Sequence, residues 1–262
     1  MRAIWALFKI HWLEIFEYRV DSLIYTLGNI LFPLVMLVVW LKISQTSGNE
    51  LAYSANQLTI YYLTLGFVQL VTSVWGAWFM NEDIRNGRLS KYLTKPISYF
   101  WYSATQNISE KAFRLFILLP FLLAAYFTFK VDFNFNTWSL MLFFMSLVLA
   151  LILRLLVDFS LGLLAFWLSD NRAALSCYLL LDTILSGRVI PLVFFPAAFG
   201  SILYFSPFRF WVSFPIEIMV GKATPSEIWQ GFILQIGWIL IAFVVMRLVW
   251  FFGIREYQAV GA

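Results

Sequence analysis

Long apolar runs decide what this chain can fold into. Residues 138–168 carry only two charged side chains, Arg154 and Asp158. That run of roughly 30 residues exceeds the roughly 20 that a helix needs to cross a bilayer, so it must tilt, bend or protrude. Comparable runs occupy residues 23–43, 58–80, 112–129, 173–190 and 228–252. In hydrocarbon every backbone N–H and C=O needs a partner inside the protein, so such runs read as helices. Charged residues make up 12% of the chain and the mean hydropathy is +0.82. A soluble domain carries about 25% charged residues. The sequence therefore predicts an all-α polytopic membrane protein, with six transmembrane helices in one transmembrane domain over residues 1–262.

Residues 1–21 do not span. Ile4, Trp5, Phe8, Trp12, Ile15 and Phe16 share one helical face, while Arg2, Lys9, Glu14, Glu17 and Asp21 lie largely opposite. This pattern predicts an amphipathic helix in the headgroup plane, the alternative being the frayed start of the first span. His11 sits at the margin of the apolar face and reads as an interfacial side chain. Lys9 and Glu14 interrupt the first apolar stretch, so no cleavable signal peptide is expected. Pro33 lies within the first span. In the second, Gly66, Gly76 and Ala77 allow close helix contact. Cys177, the single cysteine, reads as a buried small hydrophobe and excludes a disulfide framework.

The loop at 81–98 differs from its apolar flanks. Arg85, Arg88, Lys91 and Lys95 make it the densest basic patch, which belongs on the cytoplasmic side. Asn81 is placed to cap a short helix, with Glu82 and Asp83 in its first turn and Pro96 ending it. Ile84, Leu89, Tyr92 and Leu93 would form its apolar face. The loop at 44–57 has no Lys or Arg and should face outward. Six spans then put both termini in the cytoplasm. Lys130, Arg188, Arg209 and Lys222 would be the outer cations, against ten inside.

Residues 186–225 hold five of the eight prolines. The stretch is too apolar for an aqueous loop and too interrupted for one straight span. Such backbone is tolerated at membrane depth only where protein or water covers it. It reads as short re-entrant helices on the outer side (residues 191–225), with a kinked seventh span as the alternative.

Arg154 and Asp158 are four residues apart, so they share a face and can pair. With Asp182 they form a set of intramembrane polar groups that should face protein or water. They suit a conduit or subunit interface, a structural ion pair, or an ion- or proton-coupled secondary transporter. No P-loop, HExxH, GxSxG or Cys/His cluster is present, so neither a catalytic nor a metal site is expected. The net charge of +4 is explained by topology and is no nucleic-acid signature.

Four features together resemble the ABC-2 type transporter permeases, in particular the ABC-2 family transporter proteins of bacteria. Residues 82–89, Glu82-Asp83-Ile84-Arg85-Asn86-Gly87-Arg88-Leu89, continuing to Leu93 and Pro96, are similar to the family's cytoplasmic loop. Ser186-Gly187, Pro191-Leu192 and Phe195-Pro196 resemble its S-G-x-x-x-P-L-x-x-F-P signature. Ser206-Pro207-Phe208 and Phe214-Pro215 continue that signature, and the short tail from Tyr257 matches the family's end. The resemblance implies a dimer of permeases, as a homodimer or with a related chain. It further implies that two separate ATPase subunits, docked on a coupling helix at 82–96, drive each dimer, and that the function is export across the bacterial inner membrane. It also implies no cofactor in this chain, with ATP and Mg2+ on the partner ATPase. Carried over residue by residue, the docking element comprises Glu82, Asp83, Ile84, Arg85, Gly87, Arg88, Leu89, Tyr92 and Leu93.

Overall fold

The computed structural model describes residues 2–17, 19–47, 51–129, 136–168 and 170–257. Eleven α-helices follow in order: α1 (Arg2–Glu17), α2 (Arg19–Ser47), α3 (Ala55–Thr72), α4 (Gly76–Arg85), α5 (Ser90–Leu93), α6 (Tyr99–Phe129), α7 (Thr137–Leu163), α8 (Arg172–Leu185), α9 (Ala197–Phe205), α10 (Ser213–Val220) and α11 (Pro225–Glu256). No strand occurs among the described residues. Among the described residues, five helical segments are long and apolar enough to cross a membrane: Ser22–Thr46, Ala55–Arg85, Tyr99–Phe129, Thr137–Phe166 and Pro225–Glu256.

The fifth expected span is shorter than the sequence predicts. The helix over 173–190 stops at Leu185, where α8 has 14 residues. These rise about 21 Å, less than the roughly 30 Å of a hydrocarbon core. Gly187 ends the run with φ +89°. Its carbonyl accepts from the Tyr61 hydroxyl at 2.8 Å, and an added Cβ would lie 2.1 Å from Ser213 Oγ. Only glycine fits there. Cys177, on α8, is exposed rather than buried. The third span is longer than read, because the aromatic segment from Tyr99 is already helical.

The core is built around α3, whose residues are buried from Leu58 to Thr72 with few exceptions. It is enclosed by α2, α6, α7 and α10, while α11 runs along α7. Lipid-facing positions stay apolar, as on α11, where Ile233, Leu240 and Val244 are exposed. Without a hydrophobic force between helices in lipid, association rests on close packing and internal hydrogen bonds.

α1 packs along α6. Trp5, Phe8 and Trp12 stack in series, and Trp12 meets Phe113 edge-on. His11 is not marginal as read. It is buried, edge-on to Tyr102, with Nδ1 2.9 Å from Glu14 Oε2. Trp5, Ile10 and Leu13 are turned outward.

Residues 186–225 form short helical pieces, as the prolines predict. Leu192–Phe194 and Pro207–Trp211 are single turns of 3-10 helix flanking α9, and α10 follows. Pro207 and Pro215 lie in first turns, and Pro191 and Pro196 immediately precede them, where the missing N–H is not needed. Phe210, Trp211, Val212, Phe214 and Ile216 are fully buried, so the inner half of this segment is core.

Candidate functional site

The second apolar run does not form one rod. α3 ends at Thr72, Ser73 turns the chain with ψ 136°, and α4 begins at Gly76 with no side-chain cap from Trp75. Such a break inside a bundle leaves N–H and C=O groups without intrahelical partners. Side chains from two other helices supply them. Asp158 of α7 accepts from the Ala77 N–H at 2.8 Å, and Asn107 of α6 accepts from the Trp75 N–H at 3.2 Å. Lys111 of α6 donates to the Ser73 carbonyl. A carboxylate at a helix start is also favoured by the dipole. The close approach depends on Gly76, where a Cβ would sit 2.5 Å from Ser103 Oγ and 3.0 Å from Asp158 Oδ2.

This arrangement corrects the expected Arg154–Asp158 pair. Arg154 turns to α8 instead, its Nη2 2.6 Å from Asp182 Oδ2. Asp182 also meets Arg188 Nη2 at 2.9 Å and accepts from Trp211 Nε1 at 2.7 Å. The three intramembrane polar groups therefore serve two sites, one splicing α4 and one tying α7, α8 and the proline-rich segment together.

That segment's backbone is held by side chains. Ser186 O accepts from Ser213 Oγ at 2.8 Å, and Val189 O accepts from both Trp40 Nε1 at 3.0 Å and the Tyr62 hydroxyl at 2.9 Å. Its cations are bound within the chain as well. Arg209 grips Glu217 through Nε at 3.3 Å and Nη2 at 2.5 Å, and Lys222 donates to the Ala52 carbonyl.

The basic loop is not a single capped helix. Asn81 is buried inside α4, whose last residue is Arg85. Gly87 then takes φ +68°, and only Ser90–Leu93 returns to helix. The expected apolar face is largely spent inside the chain. Leu89 is 0% exposed, Ile84 6% and Tyr92 8%, whereas Leu93 is 46% exposed. Glu82, Arg85 and Arg88 lie on the surface with Lys91 and Lys95. Arg88 bridges Glu82 at 3.3 Å and Asp83 at 3.2 Å, and the Tyr99 hydroxyl donates to Asp83 at 2.7 Å. Burial pushes the Tyr92 phenol up, and Lys91 and Lys95 lie over its ring. Arg85 reaches Asp170 at 3.6 Å, and the Arg172 N–H holds that carboxyl below its usual range. The Ser90 N–H donates to the Tyr257 hydroxyl at 3.2 Å, joining the loop to the end of α11. Sequence reasoning missed Asn107, Lys111, Arg188, Trp211 and Tyr257. Lys111 stands between Glu110 and Arg114 at the polar foot of α6, where the topology already accounts for its charge. Tail residues 258–262 lie outside the described residues.

No significant match is found among curated proteins or among solved structures. The family model described as ABC-2 family transporter protein matches residues 23–261. This match spans both the basic loop and the proline-rich segment. A polytopic helical bundle without an ATPase motif suits such a component. The chain therefore belongs to the ABC-2 family transporter proteins and is a multi-pass membrane permease component of an ABC transporter.

Proposed function

We propose that this chain is the permease of an exporter in the cytoplasmic membrane, with both termini inside. It works as a dimer of permeases with two ATPase subunits seated on the basic loop. The contact surface is the exposed ridge of Glu82, Arg85, Arg88, Lys91, Leu93 and Lys95. Ile84, Leu89 and Tyr92 instead root that ridge in the body of the permease. α8 and the broken segment at 186–225 complete the sixth crossing and its outer cap.

The observation that carries this reading is the rooting of the loop. Leu89 is fully buried in the same core as the spans, and α4 leads directly from the loop to the splice at residues 73–75. An ATPase shifts the permease only through contacts that differ between its open and closed states. A loop fixed to the core passes such a difference on, where a loose loop would absorb it. Family membership stands against an ion-coupled carrier acting alone.

Two variants test the assignment. Leu93→Glu should leave expression and thermal stability unchanged while reducing co-purification of the ATPase at least tenfold. Leu89→Glu should lose the folded permease itself. If Leu93→Glu combined with Arg85→Glu retains full ATPase binding and ATP hydrolysis, the ATPase docks elsewhere. Uptake into inverted vesicles would establish the export direction.

A further inference from the structure

A cavity of about 670 Å3 opens between α1, the start of α2, the start of α4 and α6. That volume suits a small-molecule or headgroup ligand. Four buried polar atoms of its lining residues have no hydrogen-bond partner among the described residues: His11 Nε2, Ser22 Oγ, Trp75 Nε1 and Arg114 Nε. His11 and Arg114 are only 2% and 6% exposed. Arg114 is held rigidly, with Nη2 on Glu110 and the guanidinium 3.9 Å over the Tyr25 ring, so its Nε–H is left over. Unsatisfied buried donors cost about 1–3 kcal/mol each, and more when charged. One indole N–H, one hydroxyl and one guanidinium N–H call for a ligand rich in oxygen acceptors. A phosphodiester offers these, and Arg is well suited to it.

The same cavity carries the opposite charge at its other lining groups. Glu14, Glu17 and Glu110 all line it. Glu14 accepts from His11 Nδ1, which leaves its second oxygen for a ligand. Three carboxylates suit a primary ammonium, whose three N–H donors each need an acceptor. A quaternary ammonium has no N–H to give these carboxylates. Ile15 and Phe79 provide apolar wall, and Phe79 is 55% exposed. Since α1 turns Trp5, Ile10 and Leu13 outward, the cavity beside it lies at headgroup depth.

We propose that this cavity binds the headgroup of an aminophospholipid of the phosphatidylethanolamine type. The phosphodiester meets Arg114, Trp75 and Ser22, and the ammonium meets Glu14, Glu17 and Glu110. The lipid then joins the interfacial helix to the splice that begins α4, since Trp75 lines the cavity and belongs to that splice.

Native mass spectrometry of the delipidated permease, titrated with phosphatidylethanolamine, phosphatidylglycerol or phosphatidylcholine, tests the assignment. One phosphatidylethanolamine per chain should bind at least tenfold more tightly than the other two. Trp75→Phe, which removes the N–H but keeps an aromatic ring against Tyr25, should weaken binding severalfold while the lipid-free protein still folds, as read by its thermal midpoint. Glu14→Gln with Glu17→Gln should abolish the preference for phosphatidylethanolamine over phosphatidylglycerol. Equal binding of all three lipids, or full binding by Trp75→Phe, would overturn the proposal. So would soluble glycerophosphoethanolamine competing as strongly as the lipid, which would point to a water-soluble ligand.

Discussion

Two helices of this permease begin in opposite ways. α11 starts with its own residues: Thr224 accepts from the Glu227 N–H at 3.3 Å, Glu227 accepts from the Thr224 N–H at 2.7 Å, and Pro225 opens the first turn. α4 has no such local device, and its first N–H groups rely on Asp158 and Asn107 from other helices. A start written into neighbouring residues needs no other helix to satisfy it. A start borrowed from elsewhere exists only once the bundle has closed. α4 is thus conditional on the packing of α6 and α7, a property that suits an element joined to the basic loop.

The contrast can be broken experimentally. Asp158→Ala should have the largest effect, about 3 kcal/mol, because it strands a buried N–H that a charged acceptor had satisfied. Asp158→Asn keeps an acceptor and should recover most of that loss, as read by thermal unfolding in detergent. Lys111→Met should cost about 2 kcal/mol by orphaning the Ser73 carbonyl. Because both side chains serve one break, the double variant Asp158→Ala with Lys111→Met should fall short of the sum of the two. Thr224→Ala should cost only about 1 kcal/mol, the usual worth of a helix cap. Glu227→Gln should be smallest, about 0.3 kcal/mol, since glutamine also completes a capping box. A loss from Thr224→Ala equal to that from Asp158→Ala would erase the distinction between the two starts.

The same contrast explains what could be read in advance. Apolar run length located the five helices long enough to cross a membrane but overran α8, and the prolines marked where 186–225 breaks into short turns. The signal T-P-S-E at 224–227 is local and complete, so α11 could have been started at Pro225 rather than 228. The partner of Asp158 could not be read that way, because it lies 81 residues distant in the chain. Spacing of four residues shows that Arg154 and Asp158 can meet, but neighbours outside the helix compete for both. Arg154 finds Asp182, and Asp158 finds an uncapped helix start. In the basic loop, the charges correctly indicated a surface, while Gly87 broke the expected helix and sent Leu89 inward. The exposure of Cys177 was equally unreadable, since an apolar position on a helix can face outward or inward with the same residue types.

The hydrogen bond between Ser90 and Tyr257 has a mechanical consequence. It fastens the loop to the far end of the last helix, while α4 fastens it to α3 across the break at residues 73–75. Any force on that loop is therefore shared by α4 and α11, both of which pack against α7. Cutting one attachment, by Tyr257→Phe, should leave the other, through α4, intact.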